Sequence, residues 1–140
     1  MPHRSRKETV EYNRYAKKNN GCQFCQFVSH ESPVIGETEY FWIVKNIFPY
    51  SLWDEMKVSD HLMAVPKQHT DSLVNLSKEA AVDYVEVIGS YEKDGYSIYA
   101  RSPSNKLKSV VHQHTHLIQT EMKRRKFLLY VRKPYMRISK

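Results

Sequence analysis

The sequence predicts an α+β protein built on an antiparallel sheet. Segments rich in aromatic and β-branched residues lie on both sides of one amphipathic helical segment. Such residues favour strands, and the connections between the segments are short, as antiparallel pairing allows. The order of strands, helix and further strands is typical of the α+β class.

The first half of the chain is expected to hold an N-terminal helix or arm and several strands. The polar segment from Arg4 to about Asn19 tolerates a helix, and Asn19-Asn20-Gly21 ends it. The next segments are predicted strands, which are Phe27-Val28, Val34-Ile35, Tyr40–Val44 and His61–Pro66. The intervening segment Lys45–Ser51 breaks the pattern and is predicted to be a loop, extended before Pro49.

The second half begins with the main helix. Ser77 is a favourable N-cap, and the helix is expected to continue to about Tyr91. The apolar face that the 3.6-residue period predicts comprises Ala81, Tyr84, Val85, Ile88 and Tyr91. Asp94-Gly95 is a predicted turn. The predicted strands that follow are Tyr96–Arg101, Lys106–Thr120 and Lys126–Val131.

Length and charge set the class of protein. A chain of 140 residues is expected to form one domain, with an arm at 1–21, a core at 22–120 and a basic strand and tail at 121–140. A span needs about 20 apolar residues and a secretory signal also needs an apolar run. Neither pattern is present, so we expect a cytoplasmic protein without a membrane partner. The net charge of +7 favours polyanionic partners such as nucleotides or nucleic acid.

Three histidines alternate in the segment from Val110 to Ile118. On a strand, His112, His114 and His116 would share one face. Three interpretations follow: a polar strand face, a three-histidine zinc site that activates water, or nucleophilic catalysis by one imidazole on phosphorus. The spacing alone does not separate the last two.

The two cysteines of the chain form the motif Cys22-Gln-Phe-Cys25. A small secreted domain usually carries more cysteines at longer spacings, so a structural disulfide framework is not favoured. Half of a zinc site, a redox pair and unmetallated thiols remain as alternatives.

Together these motifs resemble those of the histidine triad (HIT) superfamily. The run His-x-His-x-His followed by Leu117 and Ile118 matches the signature of that superfamily. His61-Leu-Met-Ala-Val-Pro-Lys-Gln-His69 resembles the strand and turn that precede the triad, and Asn46 stands where the family places a ribose-binding asparagine. The resemblance extends over roughly Cys22 to Thr120. It implies a HIT-like fold with a five-stranded antiparallel sheet, one main helix and an N-terminal zinc-binding arm.

The resemblance also assigns roles. It implies that His114 is the nucleophile, flanked by His112 and His116, with His61 in support. Where the family often has Gly-Gln-Ser/Thr-Val, this chain has Leu107-Lys108-Ser109-Val110, so Ser109 and Lys108 are the candidates for phosphate binding. The positions between the histidines, normally apolar, are Gln113 and Thr115, which predicts a wetter or polar-covered opposite face.

The zinc-containing branch of the superfamily, related to galactose-1-phosphate uridylyltransferase, implies a structural Zn²⁺ ion. Mapped onto this chain, its ligands are Cys22, Cys25, His69 and His112. In that case His112 is unavailable to phosphate.

The resemblance implies a homodimeric nucleotide hydrolase or nucleotidyltransferase. The substrate would be a nucleotide phosphoanhydride or phosphoramidate, for example a dinucleoside polyphosphate. One alternative is a zinc-stabilised basic module that binds nucleotide or nucleic acid, and another is a deadenylase of adenylylated nucleic acid ends. Both rest on the basic segments Lys123–Lys126, Arg132-Lys133 and Tyr135–Lys140, which are also explained by a solvated edge strand.

Overall fold

The computed structural model describes residues 6–18, 21–124, 128–132 and 135–139. It contains two α-helices, α1 (Arg6–Lys18) and α2 (Lys78–Lys93), and two short 3-10 turns at Gln23–Gln26 and Leu73–Asn75. The strands are β1 (Val34–Glu37), β2 (Phe41–Lys45), β3 (Leu52–Trp53), β4 (Met56–Pro66), β5 (Ser97–Ala100), β6 (Thr115–Arg124), β7 (Leu128–Arg132) and β8 (Tyr135–Ser139).

The main sheet is antiparallel throughout, in the order β1-β2-β4-β6-β5, and the short strand β3 adds to β4. Strands β7 and β8 form a separate two-stranded sheet. The predicted α+β class, antiparallel sheet and main helix are therefore confirmed, with β3 as one strand more than expected. The basic residues from 125 to 127, 133 to 134 and 140 lie outside the described residues.

Alternation along the strands divides the sheet into two faces. One face packs against α2 and buries the larger apolar cluster, whose members are Phe41, Ile43, Leu62, Ala64, Leu117 and Val87. The other face, called the site face below, buries Phe24, Val44, Met63 and Val65. Asp83 anchors α2 to the sheet, because its carboxylate accepts hydrogen bonds from Thr38 Oγ1 at 2.6 Å and from the backbone N–H of Tyr40 at 3.0 Å.

Helix α2 begins and ends close to where the sequence predicts. The Ser77 hydroxyl accepts from the N–H of Ala80 at 3.1 Å, and Gly95, with φ at +88°, follows the last turn. The predicted apolar face is wrong at two positions, since Ala81 and Val85 are exposed and Ala80 and Val87 are buried instead. The other predicted members, Tyr84, Ile88 and Tyr91, do pack against the apolar cluster.

Three strand predictions also differ from the structure. Phe27-Val28 is not a strand, and Val28 is exposed. The strand predicted from His61 begins earlier, at Met56. The strand predicted from Lys106 begins only at Thr115, where the pairing with both neighbours begins: Thr115 pairs with Ala64 in β4 and with Ala100, the last residue of β5. Residues 106–114 are therefore irregular.

A matched pair of variants tests which face of α2 is buried against the sheet. Val87→Ala removes two buried methyl groups and is expected to lower the free energy of unfolding by about 1–3 kcal/mol. Val85→Ala makes the same chemical change at an exposed position and should stay within about 0.5 kcal/mol of the unmodified chain. Urea unfolding measures both. Equal losses would contradict the helix phase described here.

Candidate active site and metal centre

The histidines of the triad motif and His61 gather on the site face of the sheet. His116 lies in β6 opposite Met63 of β4, and the ring centroids of His61 and His116 are 5.1 Å apart. The centroids of His114 and His116 are 5.0 Å apart. All of these side chains are buried, so their protons are held by protein groups more than by water.

His112 departs from the expected arrangement. It precedes β6, and the alternation of a strand does not apply to it. Its Nδ1 atom lies 3.3 Å from Cys22 Sγ and 3.5 Å from Cys25 Sγ, and its Nε2–H donates to the carbonyl oxygen of Pro66 at 2.9 Å. The prediction of three histidines on one strand face is therefore wrong for this residue, which faces the cysteines.

The tautomer of His114 is set by a backbone group. Its Nδ1–H donates to the carbonyl oxygen of His112 at 2.9 Å. Burial, as the main cause, lowers the pKa of His114 to about 4, so the ring is neutral at neutral pH. A neutral imidazole with its proton on Nδ1 carries a lone pair on Nε2. His114 thus has a nucleophilic nitrogen.

A second chain of hydrogen bonds sets the tautomer of His116. The backbone N–H of Tyr50 donates to His61 Nδ1 at 3.1 Å, so the proton of a neutral His61 ring lies on Nε2. His61 Nε2 is 2.9 Å from His116 Nδ1 and donates to it. His116 consequently holds its proton on Nε2, the arrangement of a hydrogen-bond donor.

The N-terminal segment completes a cluster of metal-binding side chains. One ligand atom each from Cys22, Cys25, His69 and His112 lies within 4.8 Å of the others, and Cys25 Sγ is 3.1 Å from His69 Nδ1. A tetrahedral zinc ion with bonds of about 2.0–2.3 Å separates its ligand atoms by roughly 3.3–3.8 Å. The donor set and its spacing fit a closed, four-coordinate site.

An apolar cavity of about 220 Å³ opens beside the histidine pair. His114 and His116 lie on its wall, and its aromatic lining consists of Tyr12, Tyr15, Phe24, Phe27 and Phe48. The rings of Tyr12 and Tyr15 contact Phe48, with centroids 5.5 and 5.2 Å apart, and so place α1 against the cavity. The sequence reasoning missed these residues, although the i, i+3 spacing of the two tyrosines is a signal for a shared helix face.

The other predicted substrate-binding residues are distributed differently. Asn46 and Ser109 line the cavity, and Asn46 Oδ1 accepts from the N–H of Phe48 at 2.9 Å. Lys108 does not line it. Its amine donates to Gln113 Oε1 at 2.7 Å and to the carbonyl oxygen of Asp71 at 2.9 Å.

The two polar residues between the histidines are buried and hydrogen-bonded. Thr115 Oγ1 shares a 2.9 Å hydrogen bond with the hydroxyl of Tyr84 on α2. Gln113 accepts from Lys108, and its backbone N–H donates to the carbonyl oxygen of Thr70 at 2.6 Å. Protein groups satisfy both positions. Thr115 faces α2 and the larger apolar cluster, so the prediction of a wetter or polar-covered opposite face is wrong.

No protein-family model matches the chain, and no curated protein matches it. Solved structures do. A HIT family hydrolase from Clostridium thermocellum is 20% identical, with 77% of this chain and 98% of that chain covered and a TM-score of 0.55. A histidine triad nucleotide-binding protein from Candida albicans is 21% identical, with 72% of this chain and 76% of that chain covered and a TM-score of 0.55.

A Zn-bound histidine triad family protein from Mycobacterium smegmatis is 24% identical, with 76% of each chain covered and a TM-score of 0.50. At these identities the likeness concerns the fold. It agrees with the histidine motif and with the order of the strands around it. The resemblance inferred from the sequence is thereby confirmed at the level of structure, and the chain has the histidine triad fold.

Proposed function

We propose that this protein is a HIT-type nucleotide hydrolase or nucleotidyltransferase that cleaves a phosphoanhydride or phosphoramidate through a nucleotidyl-histidine on His114. One observation carries the proposal: His114 is buried, donates from Nδ1 to a backbone carbonyl, and keeps a lone pair on Nε2 at the wall of an aromatic cavity. Structural neighbours that are a hydrolase and a nucleotide-binding protein support it.

The cavity accounts for binding of the nucleotide. Its aromatic rings offer apolar faces on which a nucleobase stacks, and such stacking is tolerant of sequence. The hydroxyl of Ser109 and the amide of Asn46 are the polar groups of the lining that are assigned to phosphate and ribose. His114 and His116 then lie next to the α-phosphorus.

In the first step, the Nε2 lone pair of His114 attacks the α-phosphorus. A P–N bond forms, and the P–O or P–N bond to the leaving group breaks. The Nε2–H of His116 donates a hydrogen bond to the leaving atom and stabilises the negative charge that develops there, and the hydrogen bond from His61 holds the ring in position. Any proton that the leaving atom takes up comes from solvent. The His114 ring becomes cationic, and the carbonyl oxygen of His112 stabilises its Nδ1–H.

In the second step, a water molecule or another acceptor attacks the same phosphorus and loses its proton to solvent, while the Nε2–H of His116 donates a hydrogen bond at the reacting centre. The P–N bond breaks, a nucleoside monophosphate or its ester is released, and His114 returns to its neutral starting tautomer. The residues are the same whether the acceptor is water, phosphate or a sugar phosphate.

Cys22, Cys25, His69 and His112 would hold a structural zinc ion. Four protein ligands would leave such an ion no open position for substrate, and it would tie the N-terminal segment to the sheet. It would also fix the ring of His112, whose carbonyl oxygen accepts from His114.

The homodimer implied by the resemblance stays a prediction. Val82 and Val85 lie three positions apart on α2 and are 60% and 63% exposed, which gives a second copy an apolar surface. The nucleic-acid alternatives are not proposed, because the side chains of the basic tail beyond residue 124 are outside the description.

Substitution of the nucleophile tests the proposal. His114→Ala is expected to abolish monophosphate release from adenosine and guanosine dinucleoside polyphosphates and from nucleoside phosphoramidates, since no other group can form the P–N bond. His30→Ala, at an exposed histidine outside the site, is the control. Turnover that survives in His114→Ala, or a wild-type protein that binds nucleotide without turnover, would overturn the proposal.

The hydrogen bond from His116 to the leaving atom predicts a dependence on the leaving group. His116→Ala should lower kcat by about 10²–10³-fold for a dinucleoside polyphosphate, whose leaving oxygen develops a localised negative charge. For a nucleotide ester of p-nitrophenol, whose anion is stabilised by its own ring, the loss should be far smaller. Rates of the two substrates in parallel measure the difference, and equal losses would exclude this role.

Removal of zinc should destabilise the fold. At free zinc about a thousandfold above the dissociation constant, the ion adds about 4 kcal/mol to the stability of the folded state. We expect one zinc per chain by elemental analysis, a lower Tm after chelation, and less bound zinc in Cys25→Ser. His30→Ala again serves as control. Retention of a full equivalent of zinc by Cys25→Ser would argue against the assigned ligands.

A further inference from the structure

The peptide group between His112 and Gln113 determines which nitrogen of His114 carries the proton. Its carbonyl oxygen accepts from His114 Nδ1–H at 2.9 Å, and its N–H donates to the carbonyl oxygen of Thr70 at 2.6 Å. A peptide group is planar and trans, so its C=O and N–H point in opposite directions. The bond to Thr70 therefore aims the carbonyl oxygen at the His114 ring.

This peptide group lies outside the main sheet. Strand β6 begins at Thr115, and its pairing with β4 and with β5 starts there, so residues 112–114 precede the paired part of the strand. Their position depends on bonds to the segment that follows β4. Thr70 is buried in that segment, and its hydroxyl donates to the carbonyl oxygen of Ser72 at 3.0 Å and accepts from the N–H of Ser72 at 3.3 Å.

Lys108 joins Gln113 to the same segment. Its amine donates to Gln113 Oε1 at 2.7 Å and to the carbonyl oxygen of Asp71, the neighbour of Thr70, at 2.9 Å. Gln113 is 3% exposed, and a buried amide oxygen that loses its donor must move to find another. Neither Lys108 nor Gln113 is among the described residues that line the cavity. Their bond therefore acts on His114 through the backbone between them.

We propose that Lys108 is a positioning residue for His114. By bridging Gln113 and Asp71, its amine keeps the preceding peptide group aimed at His114 Nδ1, which leaves the lone pair of the ring on Nε2. The proposal rests on the proposed function, in which that lone pair attacks phosphorus. It gives Lys108 a different role from the phosphate contact that the resemblance implies.

The two roles of Lys108 predict different kinetic changes. A lysine that contacts phosphate contributes to binding of the nucleotide, whereas a lysine that positions the nucleophile acts on the chemical step. A reacting group displaced by about 1 Å loses a factor of about 100 in rate. Loss of the positioning bond should therefore lower kcat about 10- to 100-fold and change the dissociation constant of AMP by less than about threefold.

The test uses Lys108→Met, Gln113→Met and the double variant, with zinc added in excess to all samples. Each single variant removes one side of the bond, so each should show the loss of kcat toward a diadenosine polyphosphate. The double variant should lose no more than the larger single loss, because residues that share one bond are not additive. Lys106→Met, at an exposed lysine of the same segment, removes the same charge and is the control.

Nuclear magnetic resonance measures the position of the proton directly. In protein labelled with ¹⁵N at histidine, His114 should carry its proton on Nδ1, and His114→Ala identifies its signals. Lys108→Met should convert part of the population to the form with the proton on Nε2. This measurement needs no turnover, so it decides the inference even if the proposed function fails.

Three results would overturn the proposal. Weaker AMP binding by Lys108→Met with kcat unchanged would assign the amine to phosphate. Full activity of Gln113→Met would show that the bond has no part in the reaction. An unchanged tautomer of His114 in Lys108→Met would show that the bond does not set the position of the proton, and this result stands even if Gln113→Met, at a buried position, does not fold.

Discussion

The arrangement of the site depends on two separate sets of contacts made by His112, one through its side chain and one through its backbone carbonyl. Its side chain faces the two cysteines and His69, and its backbone carbonyl accepts the Nδ1–H of His114. A shift of this one residue would therefore change both the donor set of the proposed metal centre and the proton position of His114, the proposed nucleophile. Because His112 is fully buried and its Nε2–H is also bonded to Pro66, the residue has little freedom to move.

The two faces of the sheet hold different kinds of residues: one packs the larger apolar cluster and the other carries the candidate site. The face under α2 holds the larger apolar cluster, and Thr115 and Tyr84 join helix and strand there through their hydroxyls. The site face carries the histidines and the cavity. Substitutions in the aromatic lining are therefore expected to leave the packing under α2 intact, because the two sets of residues lie on opposite faces of the sheet.

The sequence motifs predicted which residues come together better than how each one is placed. The alternating histidines mark His114 and His116, and a strand does carry His116. The alternation does not hold for His112, because β6 begins where its pairing with β4 and β5 begins, and a single sequence does not reveal its pairing partners. The grouping of Cys22, Cys25, His69 and His112 followed from the resemblance, since residues 87 positions apart carry no spacing signal.

Two further features escaped sequence reasoning for local reasons. The β3–β4 hairpin turns through Asp54-Glu55, and this pair lacks the glycine that usually marks a two-residue turn with positive φ. The phase of α2 was ambiguous because valines occur at both 85 and 87. In each case the tertiary contacts decide between local alternatives that the sequence leaves nearly equal.

The hydrogen bonds made by Lys108 and Gln113 hold two of the four proposed zinc ligands, His69 and His112, near each other before any ion binds. They join the segment before His112 to residues 70 and 71, next to His69, without any ligand atom taking part. His69 and His112 are thus held near each other as one half of the proposed site, and Cys22 and Cys25, at the start of and within one 3-10 turn, form the other half. Affinity for a zinc ion would then depend on the effective concentration of one half near the other. The attachment of the N-terminal segment, through contacts such as Phe24 on His112, sets that concentration.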